Sequence, residues 1–192
     1  MCDNLLDPTH VAWVHAGSFG QAATKDAPLR VTKNQDGVIV HRWMMDVEPA
    51  PFYKKVIGFM GNCDRLQHYE VRYPSHALIR AVFTPAGTGG PEGPLHKDVF
   101  IMDSYNFMTP TTDGETRYYW FQLRNIRPND EALSQLMTED VQHAFEEDRA
   151  VLNEVQKGMN SKTSPHIDLP IDGGQLRFRR HLQAMINEEQ QV

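Results

Sequence analysis

Apolar and polar residues alternate in several short stretches of the first two thirds of the chain, which predicts a sheet. The turn sequence Asn34-Gln35-Asp36-Gly37 separates two of these stretches and is typical of a hairpin. The stretches follow one another along the chain, so neighbouring strands are expected to pair antiparallel. The predicted strands cover residues 29–33, 38–45, 66–73, 76–84, 99–108 and 116–126.

Helical spacing of apolar residues marks the two ends of the chain. The longest such segment opens at Pro128-Asn129-Asp130-Glu131 and runs to about Met159. The sequence thus predicts one α+β domain, residues 1–192, with a long C-terminal helix lying on a curved antiparallel sheet. Further helices are predicted at 4–16, at 52–60 and after Gly173-Gly174, with loops at 17–27 and 85–94.

The long helix carries an acidic residue where its apolar stripe is interrupted. Asp148 fills a gap between Phe145 and Leu152 in a stripe that also includes Met137, Val141 and Val155. A carboxylate facing a core is costly unless it is paired, hydrogen-bonded or bound to a metal. A buried salt bridge, a local cap and a metal site all satisfy this requirement.

Two histidines of the first predicted helix are candidate partners for Asp148. Asp7, His10 and His15 follow the pattern Asp-x-x-His-x-x-x-x-His, and His10 shares a face with Leu6. Two imidazoles and one carboxylate form the facial set that leaves open positions on iron(II). Residues five apart diverge by about 140° on a regular helix, so convergence requires a π-bulge or a break. Two structural histidines without a ligand role are the alternative.

Composition and charge narrow the classes of partner. The net charge is −6 and basic residues are dispersed, which argues against nucleic acid. No apolar run is long enough to cross a bilayer and no secretory signal is evident, so a cytoplasmic location is expected. Cys2 and Cys63 are far apart and belong to no CxxC or CxH pattern. A Rieske [2Fe–2S] centre needs two cysteines and two histidines, so we expect none in this chain.

The thirteen-residue run from Asp3 to His15, DNLLDPTHVAWVH, resembles the iron-binding helix of Rieske-type oxygenases, especially vanillate O-demethylase oxygenase subunits. Glu147-Asp148-Arg149 resembles the third-ligand segment of that family. Two intervening segments, Thr84 to Gly89 and Tyr118 to Asn125, also resemble the vanillate demethylase pattern and occur in the same order. The resemblance therefore extends over nearly the whole chain.

The resemblance implies roles for individual residues. His10, His15 and Asp148 become the ligands of one mononuclear non-haem iron(II), and Asp7 becomes a bridge from a Rieske cluster, with Asn4 beside it. It also implies a helix-grip (START/Bet v 1-like) fold that encloses an aromatic substrate above the iron.

The resemblance also implies partners and a reaction. Family members carry a Rieske domain before this helix, and we expect that domain to be absent here. Electrons would then come from a Rieske domain or a ferredoxin and reductase in trans, within a homo-oligomer, a trimer by resemblance. The implied reaction is aromatic hydroxylation or O-demethylation with O2, in the catabolism of aromatic compounds.

Three further residues are predicted to contact an acidic aromatic substrate. Arg80 and Arg117 interrupt largely apolar or aromatic strands, and a guanidinium binds a carboxylate in bidentate fashion. Tyr119 is assigned to the same cavity. The alternative is that both arginines reach solvent or pair with protein carboxylates.

At the level of the whole chain, the alternatives to an oxygenase are a non-catalytic helix-grip domain that binds a small ligand without metal, and an inactive fragment.

Overall fold

A six-stranded antiparallel sheet forms the centre of the computed structural model, which describes residues 1–21, 27–90, 95–161 and 167–191. The strand order β1-β2-β3-β4-β5-β6 follows the chain, so every strand pairs with its sequence neighbour. This confirms the predicted sheet, although several strands extend further than predicted. The strands are β1 (Arg30–Lys33), β2 (Gly37–Val47), β3 (Cys63–Arg72), β4 (His76–Pro85), β5 (Phe100–Thr112) and β6 (Glu115–Arg124).

The core lies on the inner face of this curved sheet, under the long helix α4 (Glu131–Ser161). Phe145 of α4 packs edge-on against Tyr118 and Trp120 of β6, with ring centroids 5.3 and 5.2 Å apart. Alternate strand residues therefore face α4, and the predicted α+β helix-grip arrangement is confirmed. The buried residues of α4 are Leu133, Met137, Val141, Ala144 and Asp148.

The apolar stripe of α4 is buried only in its first part, although the apolar pattern continues to Val155. Asp148 is 7% exposed, but Val151 and Val155 are 43% and 49% exposed. The contacts with the sheet end near Asp148, and no described element covers the next turns of the helix. A helical pattern shows which face is apolar, but it does not show how far the opposing surface extends.

The predicted N-terminal helix over 4–16 is in fact two short helices, α1 (Cys2–Leu5) and α2 (Val11–Val14). Pro8 lies between them, and the Asp7 carboxylate accepts a hydrogen bond from the Thr9 N–H at 2.8 Å. This local bond competes with helical bonding and favours a turn. Helix α3 (Pro51–Val56) is also shorter than predicted, because Ile57 is extended, with ψ of 142°.

The last helix, α5 (Gly173–Glu189), begins with the two glycines that were predicted to precede it, directly after a 3₁₀ turn at Pro170–Asp172. A Cβ at Gly174 would lie 2.3 Å from Cγ2 of Val40. The helix can therefore pack closely on β2 only because this position lacks a side chain.

Two predicted loops lie partly outside the described residues, at 22–26 and 91–94. Of the loop predicted at 85–94, Pro85 ends β4 and the residues up to 90 form turns. In the described part of the chain, none of the helices combines the length and apolarity needed to span a membrane.

Candidate metal centre

Three candidate ligands, His10, His15 and Asp148, converge at one end of the core. Nε2 of His10 lies 3.4 Å from Oδ1 of Asp148, and Nε2 of His15 lies 3.1 Å from the same oxygen. One ligand atom from each residue lies within 4.8 Å of the others. With metal–ligand bonds of about 2.1 Å, adjacent ligand atoms of an octahedral ion are about 3 Å apart, so a small adjustment accommodates a metal.

Helix α2 solves the spacing problem posed by two histidines five residues apart. His10 is the N-cap of α2 and His15 is its C-cap, where the backbone leaves the helix at φ of −108° and ψ of 32°. The two rings approach to 5.3 Å between centroids, at 74° to each other. Convergence therefore accompanies the departure of the backbone from helical geometry at His15, without a π-bulge.

The chain after α2 folds back onto the carbonyl of His15 and fixes its position. The N–H groups of Ser18 and Gly20 donate to this carbonyl at 3.0 and 2.7 Å. A Cβ at Gly20 would lie 2.8 Å from the same oxygen and 2.7 Å from the carbonyl of Val11. Glycine at position 20 thus permits the tight turn that holds His15 in place.

Asp148 reaches the histidines because it continues the buried face of α4 by one turn. It lies four residues after Ala144, so the two side chains share the face that points to the sheet. Oδ1 of Asp148 is buried and has no hydrogen-bond partner, since neither imidazole is aligned with it for a proper hydrogen bond. A buried carboxylate oxygen without a donor is costly, and a metal ion would satisfy it.

The electrostatic environment of the site favours the charged forms of Asp148 and His15. Burial alone would raise the pKa of Asp148, but the imidazoles of His10 and His15 outweigh it and lower the pKa. Burial alone would lower the pKa of His15, but Asp148 and Glu147 outweigh it and raise the pKa. The metal-free site therefore keeps a carboxylate and favours a proton on His15, which a dication would replace.

Glu147 is a further functional candidate, although it does not belong to the apolar stripe of α4. Its Oε2 accepts a hydrogen bond from Nδ1 of His15 at 2.7 Å. This bond selects the tautomer whose Nε2 lone pair faces Asp148, as carboxylates commonly do for metal-bound histidines. In the sequence, the adjacent residues Glu147 and Asp148 were the available signal for this role. Two consecutive residues of a helix can contact the two nitrogens of one imidazole, as these two do at His15.

Asp7 contacts His10 more closely through its main chain than through its carboxylate. Nδ1 of His10 donates to the Asp7 carbonyl. The Asp7 carboxylate lies 3.9 Å from this nitrogen and bonds instead to Thr9. Asn4, predicted to lie near Asp7, lines the adjoining pocket, and its carbonyl accepts the Asp7 N–H at 3.1 Å.

The three candidate ligands form part of the wall of a pocket with an interior volume of about 90 Å³. Most of the remaining wall is apolar and comes from the inner face of the sheet and from α4. Residues that contribute to it are Phe19, Tyr53, Ile79, Met102, Val141 and Phe145.

The three residues predicted to bind substrate lie on the other face of the sheet. Arg80 forms a bidentate ion pair with Asp103, at 2.7 Å for both bonds, while the adjacent Ile79 faces the pocket. Arg117 and Tyr119 flank the inward-facing Tyr118 and are exposed. Side chains alternate along a strand, so all three face outward and the predicted pocket contacts are wrong. For Arg80, the alternative of a protein carboxylate partner is the one observed.

The pocket instead contains an arginine that the sequence analysis overlooked, Arg65 of β3. Arg65 is 1% exposed and lines the pocket together with the candidate ligands. Its position fell one residue before the strand predicted from 66, so no inward orientation was assigned. The alternation of buried residues at Gln67, Tyr69 and Val71 was the available signal.

Comparison with known proteins yields a family and several relatives. Residues 1–188 match the model of the vanillate O-demethylase oxygenase C-terminal domain. A vanillate O-demethylase oxygenase subunit from a Pseudomonas species is 32% identical, covering 98% of this chain and 59% of that protein. A toluene-4-sulfonate monooxygenase system iron-sulfur subunit from Comamonas testosteroni is 31% identical, covering 97% and 55%. The chain thus spans little more than half the length of these relatives.

Dicamba monooxygenase has the same fold. Its structure with 3,6-dichlorosalicylic acid superposes with a TM-score of 0.86 at 18% identity, covering 98% of this chain and 55% of that one. A second structure, with non-heme iron and dicamba, gives a TM-score of 0.61 at 15% identity, covering 97% and 54%. These likenesses establish the fold of the chain.

Proposed function

Because the chain belongs to the vanillate O-demethylase oxygenase C-terminal domain family, we propose that it is the iron-binding domain of an aromatic oxygenase. The observation that carries the proposal is the cluster of His10, His15 and Asp148, with ligand atoms within 4.8 Å of one another and an unsatisfied Oδ1 at its centre. One mononuclear iron(II) per chain fits two imidazoles and a carboxylate. The iron in a dicamba monooxygenase structure supports this metal for related folds.

The proposed reaction adds oxygen to an aromatic substrate. Iron(II) bound at this site supplies the capacity to activate dioxygen when electrons are delivered to it. With a methoxyarene, hydroxylation of the methyl C–H bond gives a hemiacetal that breaks down to formaldehyde and a phenol. One oxygen atom enters the substrate, and the other leaves as water after taking up two electrons and two protons.

The residues of this chain are proposed to hold the metal and to shield the substrate from water. His10 and His15 present Nε2 because their Nδ1 atoms are engaged by the Asp7 carbonyl and the Glu147 carboxylate. Asp148 contributes the negative charge. The apolar wall formed by residues such as Ile79 and Phe145 receives an aromatic ring and excludes water from the reacting carbon.

The electrons are proposed to come from a Rieske [2Fe–2S] centre outside these residues. A Rieske centre takes two cysteines and two histidines from paired motifs. Cys63 is buried and its thiol donates to the Val47 carbonyl, while Cys2 lies on α1, so the two do not form such a pair. The toluene-4-sulfonate relative, an iron-sulfur subunit of a monooxygenase system, supports a multicomponent arrangement. Asp7, between the metal site and the surface, remains our candidate for the bridge to that centre.

The test is metal binding under anaerobic conditions. We expect about one iron(II) per chain, and His10→Ala, His15→Ala and Asp148→Ala should each lower the affinity by more than about 100-fold, beyond the effect of losing an outer partner. His41→Ala, which removes a histidine from the outer face of β2, is the matched control and should bind iron normally. Iron binding retained in Asp148→Ala would contradict the ligand assignment. Absence of binding in the parent chain would favour a metal-free ligand-binding domain.

A further inference from the structure

Arg65 places a positive charge inside the pocket. The residue lies on the inner face of β3 and is 1% exposed, and it lines the same pocket as the metal candidates. Moving a guanidinium out of water costs several kcal/mol unless a partner compensates for the loss of hydration. The groups around Arg65 therefore determine whether the charge is structural or awaits a ligand.

Among the described residues, the hydrogen-bond and aromatic contacts of Arg65 are with neutral groups. Its Nη1 donates to Oε1 of Gln21 at 2.8 Å, and its guanidinium lies 4.8 Å from the centroid of the Tyr53 ring and 5.2 Å from that of Phe83. Within the described residues no carboxylate forms an ion pair with Arg65, and its Nε has no hydrogen-bond partner.

Two other arginines of the same sheet have carboxylate partners. Arg72 donates to Glu70 at 2.6 Å, and Arg80 donates to both oxygens of Asp103. Both are exposed on the outer face, where an ion pair is least needed. Among the described residues, the most deeply buried guanidinium thus lacks the counter-charge that these two exposed ones have.

We propose that Arg65 binds the anionic group of the substrate, a carboxylate or sulfonate attached to the aromatic ring. Arg65 holds the anion by charge-assisted hydrogen bonds, for which Nε is one of the donors, and the ring occupies the apolar part of the pocket beside the metal centre. Aromatic stacking on Tyr53 and Phe83 holds the guanidinium in place before the ligand arrives. This inference rests on the proposed function, because it names the substrate class for the same pocket.

The experiment measures ligand binding to the metal-free chain, so that coordination of an anion by iron does not contribute. The probes are 4-methoxybenzoate, toluene-4-sulfonate and methyl 4-methoxybenzoate, each titrated by calorimetry. The parent chain should bind at least one acid about tenfold or more tightly than the ester, as expected for a charged hydrogen bond in a buried site. The tighter of the two acids identifies whether carboxylate or sulfonate is preferred.

The decisive variant is Arg65→Met, which keeps the length of the side chain and removes the charge. It should lose about tenfold or more in affinity for the acid and change little toward the ester. Arg117→Met, which removes the same charge from the outer face, is the matched control and should behave like the parent. Equal losses for acid and ester, no loss for either, or a parent chain that does not prefer the acid would overturn the proposal.

A second measurement is made on the parent chain and uses a variant only to assign a resonance. The side-chain Nε–H resonance of Arg65, assigned by its absence in Arg65→Lys, should shift on addition of the acid and remain in place with the ester. Failure of the acid to shift it would overturn the proposal.

Iron loading is measured separately, so a chain that binds iron but shows no acid preference rejects only the role of Arg65. A chain that binds the acid through Arg65 but takes up no iron rejects only the metal site.

Discussion

Glu147 is predicted to hold His15 in the orientation that metal binding needs, and replacing it with alanine should weaken that binding. Its Oε2 lies 2.7 Å from Nδ1 of His15, whose side chain is 6% exposed. The bond fixes both the ring angle and the tautomer, leaving the Nε2 lone pair facing Asp148. Without Glu147 the ring can rotate and place its proton on either nitrogen.

The magnitude follows from the geometry of this pair. Loss of an outer partner of a metal-bound histidine typically costs about 10–100-fold in affinity, or about 1.4–2.8 kcal/mol. The Glu147 side chain is 31% exposed, so water screens part of its charge and we expect the lower end of this range, about tenfold, for Glu147→Ala. Glu147→Gln keeps an acceptor oxygen for Nδ1–H and should lose only about threefold.

Competitive titration of cobalt(II) against a chelator measures the affinity, and the cobalt absorption spectrum reports whether the ligand set is retained. Glu146→Ala is the matched control, because Glu146 is the preceding residue of α4, is half exposed and pairs with Arg149 instead. The control should bind cobalt like the parent chain. The reasoning is refuted if Glu147→Ala binds normally or if Glu146→Ala loses as much. A loss in Glu147→Gln equal to that in Glu147→Ala would show that charge, and not the hydrogen bond, is responsible.

Two further predictions concern acidic residues outside the ligand set. Asp7→Ala should lower the free energy of unfolding by about 1 kcal/mol, because Thr9 loses its acceptor. In calorimetry it should still bind iron, since the Asp7 carbonyl holds His10, but turnover with a Rieske partner should fall sharply; parent-like turnover removes the bridging role. For Glu70, Arg72 and His68 outweigh burial and lower its pKa. Its contribution to stability is therefore present above pH 4.5 and lost as pH falls through the folded pKa. Denaturant unfolding should show Glu70→Gln less stable by about 1–2 kcal/mol at pH 7, with the difference vanishing at acid pH; a constant difference contradicts it.

The sequence predicted best what depends on local pattern. Alternation along the strands, with turns such as Asn34 to Gly37 between them, was enough to predict six antiparallel strands in order. The gap in the stripe of α4 identified Asp148 as an acidic residue that faces the core, whatever its partner. These features depend on side-chain periodicity within one element, and the helical and strand periods differ clearly.

The sequence could not show which face of the sheet each arginine occupies. Around Arg117 and Tyr119, aromatic residues occupy the consecutive positions 118 to 121, so both faces of the strand are apolar. The sequence pattern therefore does not show which face is buried. Around Arg80 the same holds, because Leu78 and Val82 share its face and Ile79 and Ala81 occupy the other. Only the pairing of Arg80 with Asp103 and the packing of Tyr118 on Phe145 distinguish the two faces, and both contacts join residues distant in the sequence.

Long-range contacts also explain why the metal site needed the structure. His10 and His15 are five residues apart, a spacing that separates side chains on a continuous helix. The structure ends the helix at both residues and brings in Asp148, Glu147 and Arg65 from elements far along the chain. The two histidines, Asp148 and the guanidinium of Arg65 line the same pocket, and Phe19 packs against both His15 and Tyr53, the ring next to Arg65. A ligand with an anionic group on an aromatic ring is therefore expected to bind with the anion at Arg65 and the ring against the apolar wall.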